Sequence, residues 1–174
     1  MTDHPHPLPP IVMMGVSACG KTAVGQPLAA RLHCPFLDGD VLHPQANIAK
    51  MTAGRPLDDA DRAPWLVRVG AWLAAHEDGG VIACSALKRR YRDRLRRSAP
   101  DALFVLLDPS PDVLRARDGA RTGHFMPASL LDSQLATLER PDPDERAIVI
   151  VNDGTIEEAV EAVLDALKER GIET

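Results

Sequence analysis

With 174 residues, the chain is long enough for one domain with a buried core, and 45% hydrophobic beside 26% charged residues is ordinary for a globular protein. The formal net charge of −5 argues against general nucleic-acid binding, and no apolar run approaches the roughly 20 residues that a membrane span requires. Three separated cysteines and an N-terminus without signal-peptide features predict a cytoplasmic protein with reduced thiols, rather than a disulfide-linked or zinc-binding one.

The chain alternates between strand and helix patterns after a short polar lead-in. Residues 1–9 are expected to be disordered, and residues 10–174 to form a single domain. Five short apolar runs, typical of parallel strands covered on both faces, occupy 10–15, 35–38, 80–85, 102–108 and 147–152. Helical spacing follows at 21–33, 59–77, 88–98, 111–121, 128–139 and 155–170, the last opening with Thr155 and Glu158 as a capping box. This order predicts an α/β domain with a parallel sheet, whose ligands bind beyond the carboxyl ends of its strands.

The first predicted strand runs directly into GVSACGKT, which fits the phosphate-binding pattern G-x-x-x-x-G-K-[ST] with a helical pattern after it. In such a loop, backbone N–H groups surround the phosphates, the lysine reaches the β and γ phosphates, and the hydroxyl of the last residue ligates Mg²⁺. A glycine-rich turn that binds nothing is the alternative. The predicted ATP-binding residues are Gly15, Val16, Ser17, Ala18, Cys19, Gly20, Lys21 and Thr22.

The remaining sequence indicates a small-molecule kinase among phosphate-loop proteins. The Asn-Lys-x-Asp motif of GTPases is absent, and Asp108 could end a Walker B strand or merely form a turn. A short chain with an insertion after the second strand and an arginine-rich segment after the fourth strand is typical of such kinases.

Two acids, Asp38 and Asp40, flank a glycine where the second predicted strand ends, in the stretch DGDVLHP. A polar turn is one interpretation, because Asp-Gly is a common turn dipeptide. Their position at the carboxyl edge of the sheet makes a binding or catalytic role the other.

Two basic stretches follow. In LKRRYRDRLRR, residues 87–97, Lys88, Arg92 and Arg96 share one helical face. A solvated helix face explains most of these cations, whereas Lys88 and Arg92, nearest the strand end, are best placed to meet an anionic substrate. A nucleic-acid patch is disfavoured by the overall acidity and the lack of interleaved aromatic residues.

The second stretch, RARDGARTGHF at residues 115–125, contains Arg117, Arg121 and His124 between glycines. Arginines at such flexible points are what a closing lid brings to a transferring phosphoryl group, and we place that lid at about 115–139. Ordinary surface arginines are the alternative.

Over residues 11–165 the chain resembles the gluconokinase family of small P-loop kinases. The resemblance rests on the phosphate loop, on FLDGDVLHPQANIAKMTAGRPLDDADRAPWL (36–66), on CSALKRRYRDRLR (84–96), on RTGHFMPASLLDSQLATLE (121–139) and on VIVN (149–152). It implies a nucleoside-monophosphate-kinase-like, three-layer α/β/α fold with a lid and a homodimer. It also implies phosphorylation of D-gluconate at the 6-hydroxyl, with ATP and Mg²⁺.

The resemblance also implies roles for individual residues. Asp38 is expected to hold Mg²⁺ together with Thr22, and Asp40 to orient the substrate hydroxyl and accept its proton. Lys21, Arg117 and Arg121 are expected to act on the phosphoryl group. The polar groups expected around the sugar acid are Asp40, His43, Arg62, Lys88, Arg92 and His124. A helix cap or a satisfied core hydrogen bond is the alternative for the two histidines.

The loop departs from the family pattern at Ala18 and Cys19, where the family usually has Gly and Ser. Cys19, beside Lys21 and a helix N-terminus, is expected to be a reactive thiol that nucleotide protects, and a thiol shielded by the loop is the alternative. The rival functions are a kinase for another small anionic metabolite, such as shikimate, and a nucleotide-binding module without turnover.

Overall fold

The computed structural model describes residues 6–120 and 129–174. Its five strands are β1 Pro10–Met14, β2 Phe36–Asp38, β3 Gly80–Ala83, β4 Leu103–Leu107 and β5 Ala147–Ile150. They form one parallel sheet in the order β2-β3-β1-β4-β5, with Val12 paired to Ile82 on one side and to Phe104 on the other. All five predicted strands are therefore confirmed to within a few residues at their ends.

The helices of the described residues are α1 Lys21–Arg31, α2 Gln45–Thr52, α3 Asp59–Ala74, α4 Arg89–Ser98, α5 Pro111–Ala120, α6 Ser129–Thr137 and α7 Ile156–Glu169. A short 3-10 helix, Gly39–Leu42, follows β2. None of the helices in the described residues is long and apolar enough to span a bilayer. The six predicted helical segments are confirmed, whereas α2 lies in a segment that the sequence predicted only as an insertion.

Alternate side chains of the strands point to opposite faces of the sheet, which produces two separate cores. Ile11 and Met13 belong to the core that α1 and α7 cover, and Val12 and Met14 to the core that α3 and α4 cover. Every β1 residue is buried, as expected for a strand covered on both faces. The architecture is thus the predicted three-layer α/β/α arrangement.

Local sequence signals account for several helix ends. Asp58 accepts a hydrogen bond from the Asp61 backbone at 2.8 Å while Asp61 accepts from the Asp58 backbone at 2.9 Å, a capping box that starts α3. The predicted cap of α7 is confirmed, because the Glu158 backbone N–H donates to Thr155 Oγ1 at 3.1 Å.

The described part of the lead-in, residues 6–9, contacts the C-terminal segment and the core. The His6 backbone N–H donates to Gly171 O at 2.9 Å, and Glu173 N–H donates to His6 O at 3.2 Å. Leu8 packs against the core that α1 and α7 cover. These contacts with the C-terminal segment, far away in sequence, could not be predicted from local composition.

Candidate active site

A cavity of about 780 Å³ opens at the carboxyl edge of the sheet. Its walls come from the phosphate loop, the ends of β2 and β3, the segment through α2 and α3, helices α5 and α6, and the turn after β5. Ligands of open α/β sheets bind at this edge, and the cavity suits a pair of small substrates. The site residues among its walls are Ser17, Ala18, Gly20, Lys21, Thr22, Asp38, Asp40, His43, Arg62 and Arg117.

The phosphate loop, residues 15–22, leads from β1 into α1. Gly15 and Gly20 take φ values of 137° and 104°, which favour glycine, and a Cβ at Gly15 would lie 2.6 Å from Cys19 Sγ. Ala18 also has a positive φ, 65°, at a position where the family usually carries glycine. Lys21 Nζ donates to Gly15 O at 3.0 Å and Val16 O at 2.9 Å, so its charge is held at the rim of the loop.

Cys19 lies fully buried beneath the loop. Burial favours a thiol shielded by the loop over the reactive thiol, because a shielded thiol is inaccessible to reagents. Its carbonyl oxygen accepts a hydrogen bond from Asn152 Nδ2 at 2.9 Å. Cys19 thus fills space under the loop while Asn152 fixes its backbone.

The two acids of residues 38–40 face the loop from β2. Thr22 Oγ1 donates to Asp38 Oδ2 at 3.1 Å, and Asp38 Oδ1 accepts the Asp40 backbone N–H at 3.0 Å. Trp65 Nε1 donates to Gly39 O at 2.9 Å, which fixes the turn from the side of α3. Residues 38–40 form a turn, which was one of the two interpretations of the sequence. The turn also brings the Asp38 and Asp40 carboxylates to the cavity wall, as the other interpretation requires.

A magnesium ion fits the oxygen atoms that meet here. The Thr22 hydroxyl and the Asp38 carboxylate are hard oxygen donors in direct contact, the kind of ligand that Mg²⁺ prefers. No group of three or more His, Cys, Asp or Glu side chains in the described ranges could hold a metal ion. An ion at this position would therefore take its remaining ligands from phosphate and water, which is usual for Mg²⁺.

His43 is a buried, neutral imidazole beside Asp40. Its ring stacks on Trp65 with centroids 4.1 Å apart. Burial, followed by the charge of Arg62, lowers the pKa of His43 to about 4. Asn47 Nδ2 lies 3.2 Å from His43 Nδ1, and because an amide nitrogen only donates, the imidazole proton is on Nε2. That nitrogen is 3.8 Å from Asp40 Oδ1.

Arg62 and Lys88 lie around Tyr91, at different distances from the cavity. Arg62 lines the cavity and donates to Leu57 O at 2.5 Å and to Tyr91 Oη at 3.2 Å. Lys88 Nζ lies 5.9 Å from the centroid of the Tyr91 ring and is not among the described cavity-lining residues. Arg62 is therefore the better placed of the two to meet an anionic substrate.

Arg92 does not fit its expected role in substrate binding. Its side chain is fully buried, with Nε 2.7 Å and Nη2 3.0 Å from the two carboxylate oxygens of Glu145 and Nη1 2.9 Å from Ala86 O. Since this guanidinium is buried, paired with Glu145 and not among the described cavity-lining residues, it is not placed to meet a sugar acid. The sequence pattern could not reveal this, because Glu145 lies 53 residues away.

The predicted lid is described only in part. Arg117, on α5, lines the cavity and donates to Gly154 O at 3.2 Å, while its Nη1 is buried without a hydrogen-bond partner in the described structure. Arg121 and His124 lie outside the described residues. Asp108 forms a bidentate ion pair with Arg140, at 2.6 and 2.9 Å. Because both of its carboxylate oxygens are engaged by Arg140, the structure favours the turn over a Walker B role for Asp108.

Sequence reasoning missed three polar residues at this site: Asn47, Gln134 and Asn152. Asn152 directly follows an apolar run at the same edge of the sheet, which is a readable signal. Gln134 Oε1 accepts the Ser17 backbone N–H at 2.6 Å across 117 residues, and no local pattern indicates that contact.

Comparisons with known proteins agree with this geometry. A family model described as an AAA domain matches residues 11–141. A curated gluconokinase of Gluconobacter oxydans (strain 621H) is 54% identical over 143 residues, which is 79% of either chain. The crystal structure of a gluconokinase from Sinorhizobium meliloti 1021 superposes with a TM-score of 0.87 at 47% identity, covering 97% of this chain and 95% of the other.

A more distant likeness concerns the fold alone. A shikimate kinase from Bacteroides thetaiotaomicron superposes with a TM-score of 0.66 at 20% identity, covering 92% of this chain and 98% of that one. Function does not follow from a shared fold at that level of identity.

Proposed function

Since the chain belongs to the gluconokinase family of P-loop kinases, we propose that it phosphorylates D-gluconate at the 6-hydroxyl, using ATP and giving 6-phospho-D-gluconate and ADP. The observation that supports the proposal most directly is the meeting of the phosphate loop with Asp38 and Asp40 in one cavity, next to the cationic Arg62. That arrangement holds phosphates, a hydroxyl and an anionic group within one enclosed space.

On the nucleotide side, the chain supplies positive charge and backbone donors. The loop N–H groups and the N-terminus of α1 bind the phosphates, and Lys21 exchanges its two carbonyl partners for phosphate oxygens. Arg117 offers a buried guanidinium nitrogen that lacks a partner in the described part of the chain. Charge that spreads over the phosphoryl oxygens during transfer is stabilised by such donors.

Thr22 and Asp38 would hold Mg²⁺ through the oxygens that now hydrogen-bond to each other. A bound Mg²⁺ supplies charge neutralisation for the phosphates. Asp38 also caps the 3-10 helix through the Asp40 N–H, so its carboxylate is held in place before any ligand arrives.

Asp40 orients the 6-hydroxyl and accepts its proton. The hydroxyl oxygen forms a bond to the γ-phosphorus as the bond from that phosphorus to the β–γ bridging oxygen breaks, and ADP leaves with the electron pair. His43, neutral and carrying its proton on Nε2, presents an N–H towards Asp40 and the substrate hydroxyls. The buried stacking on Trp65 keeps that imidazole in place.

Arg62 is the residue we assign to the gluconate carboxylate. Its guanidinium is held by Leu57 O and Tyr91 Oη, which fixes its direction while leaving further N–H groups for a carboxylate. Lys88 contributes positive charge from beside Tyr91. Arg92 supports the fold from its pair with Glu145.

The proposal extends to location and assembly. Three free thiols, two of them buried, are consistent with a reducing cytoplasm. The homodimer rests on the family resemblance, and the molar mass measured by light scattering tests it.

The deciding experiment is ADP release measured over a panel of gluconate, glucose and shikimate. We expect gluconate to be used, with a kcat/KM at least tenfold above that of glucose, because glucose leaves the cationic side chains unpaired. The Lys21→Ala variant, whose altered side chain lies at the loop rim, should fold normally and lose transfer. Preferential use of shikimate would refute the proposal, and absence of ADP release with every acid would indicate a module without turnover.

A further inference from the structure

Helix α6 reaches the phosphate loop through the side chain of Gln134. Its Oε1 accepts the backbone N–H of Ser17 at 2.6 Å, and both residues line the cavity. The Ser17 N–H belongs to the loop whose backbone donors bind phosphate. An amide oxygen therefore accepts a hydrogen bond from a donor of the kind that serves a phosphate oxygen.

The chemistry of the amide makes this contact informative. A phosphate oxygen and the Gln134 Oε1 are both acceptors, and they cannot share the Ser17 N–H without repelling each other. The last torsion of a glutamine is broad and roughly two-fold, and a half-turn about it replaces the oxygen by an NH₂ group at nearly the same position. The turned amide donates to the phosphate instead of competing with it.

We propose that Gln134 is a phosphate-contacting residue, whose amide oxygen accepts from Ser17 in this structure and whose amide turns to donate to the nucleotide phosphates when they bind. The inference deepens the proposed function and rests on it only in taking ATP as the ligand. Lys21 and Arg117 already bring positive charge to the same cavity, so Gln134 adds a neutral donor from a third element, α6.

A competing explanation is that Gln134 only fastens α6 to the loop. The two explanations require opposite chemistry, because fastening needs the acceptor of the side chain and phosphate contact needs its donor. Gln134→Glu keeps the acceptor and loses the donor, Gln134→Lys keeps a donor and loses the acceptor, and Gln134→Met loses both at similar length.

The test is calorimetric binding of ADP and of a non-hydrolysable ATP analogue, with Mg²⁺ and without gluconate. We expect Q134M to bind the ATP analogue about tenfold more weakly than the wild type, the usual loss for one hydrogen bond to a charged group. Q134E should bind more weakly still, and Q134K within a few-fold of the wild type. Thermal unfolding of each variant verifies that it is folded.

Variants at Ala136, an exposed residue two positions further along α6, control for the effect of charge without a change at Gln134. Ala136→Glu and Ala136→Lys carry the same charges and should bind like the wild type. Binding by Q134E equal to or tighter than binding by Q134M overturns the inference, as do wild-type affinity in Q134M and equal effects at Ala136. No nucleotide binding by the unaltered protein refutes both proposals, whereas the expected binding differences without gluconate phosphorylation refute the proposed function alone.

Discussion

Gly39 lets the turn between Asp38 and Asp40 pass close to β3 and so positions both acids at the cavity. A Cβ at this position would collide with the carbonyl oxygen of Ala83 on β3, so the backbone passes β3 closely only as glycine. That close approach sets Asp38 at the end of its strand and Asp40 one step into the cavity. In the order Asp-Gly-Asp, the glycine is therefore required by packing against β3, and the two acids by their proposed roles at the cavity.

If Asp38 serves the metal and Asp40 the substrate, their asparagine variants should fail differently. Asp38→Asn should raise the Mg²⁺ concentration needed for half-maximal rate, since the charge is lost and the amide nitrogen can only donate to the Thr22 hydroxyl. Its amide oxygen can still accept from the Asp40 N–H. Asp40→Asn should leave nucleotide binding nearly intact and lower kcat by roughly 10²–10⁴, because positioning and proton acceptance are lost together. Rates titrated separately against Mg²⁺ and gluconate test this, and identical profiles would contradict the division of roles.

The buried His43 should make stability depend on pH. Its pKa is about 4 in the folded chain against 6.5 unperturbed, so the unfolded chain binds more protons between these values. The stability from neutral His43 is complete above about pH 6.5 and is lost as pH falls towards 4, by roughly 2–4 kcal/mol. We expect urea unfolding of His43→Gln to show a shallower decline than the wild type in that window. Parallel curves would mean that His43 is not held neutral.

At the scale of the elements, strands and helices with a regular apolar pattern could be predicted from the sequence. Contacts between residues far apart in sequence, such as the pair of Arg92 with Glu145, could not. The strands were readable because buried parallel strands are apolar on consecutive residues, as in PIVMM of β1. Helix α2 was missed because it is short and buries only Asn47 and Met51, too few residues for a clear period. The basic face of α4 was read as a solvated surface or a substrate site, and Arg92 is neither.

Removing one partner of the buried ion pair between α4 and the segment before β5 should strongly destabilise the fold. Burial alone would raise the pKa of Glu145, but hydrogen bonds from Arg92, the Asp142 backbone and Arg96 outweigh it and lower that pKa to about 2. Glu145→Gln leaves the buried Arg92 uncompensated, and we expect the free energy of unfolding to fall by about 3–5 kcal/mol at neutral pH. Urea unfolding measures this loss.

Asp144 offers a matched control one residue away. It pairs with Arg89 at 2.7 Å, but its side chain is 67% exposed. Exposed ion pairs contribute little because water and salt screen them, so Asp144→Asn should be nearly neutral. Equal losses in the two variants would show that burial of the Arg92–Glu145 pair is not what matters.

For the whole molecule, the sequence predicted the layers and the nucleotide edge, but not how the walls of the cavity are joined. Helix α6 joins two of them: Gln134 contacts the loop, and Leu130 packs with Met51 and Leu57 from the segment that leads through α2 to α3. Such long-range packing depends on where the chain folds back, which no local pattern encodes. The net charge of −5 likewise conceals the cations that face the cavity.

Adjacent leucines of α6 allow the joining role to be separated from ordinary core packing. Leu130 and Leu131 are equally buried, 3% and 4% exposed, but Leu130 belongs to the small cluster with Met51 and Leu57, and Leu131 to the main core. Leu131→Ala should lower the free energy of unfolding by about 2–5 kcal/mol and leave the KM for gluconate near normal.

Leu130→Ala should affect substrate binding more than stability, because it removes the contact of α6 with the cavity wall where we place the sugar acid. We expect the KM for gluconate to rise several-fold, with a smaller loss of stability and unchanged ADP affinity in the absence of gluconate. Steady-state kinetics, calorimetry and urea unfolding on the two variants provide the comparison. A raised KM in Leu131→Ala with normal kinetics in Leu130→Ala would show that the small cluster does not connect α6 to the substrate wall.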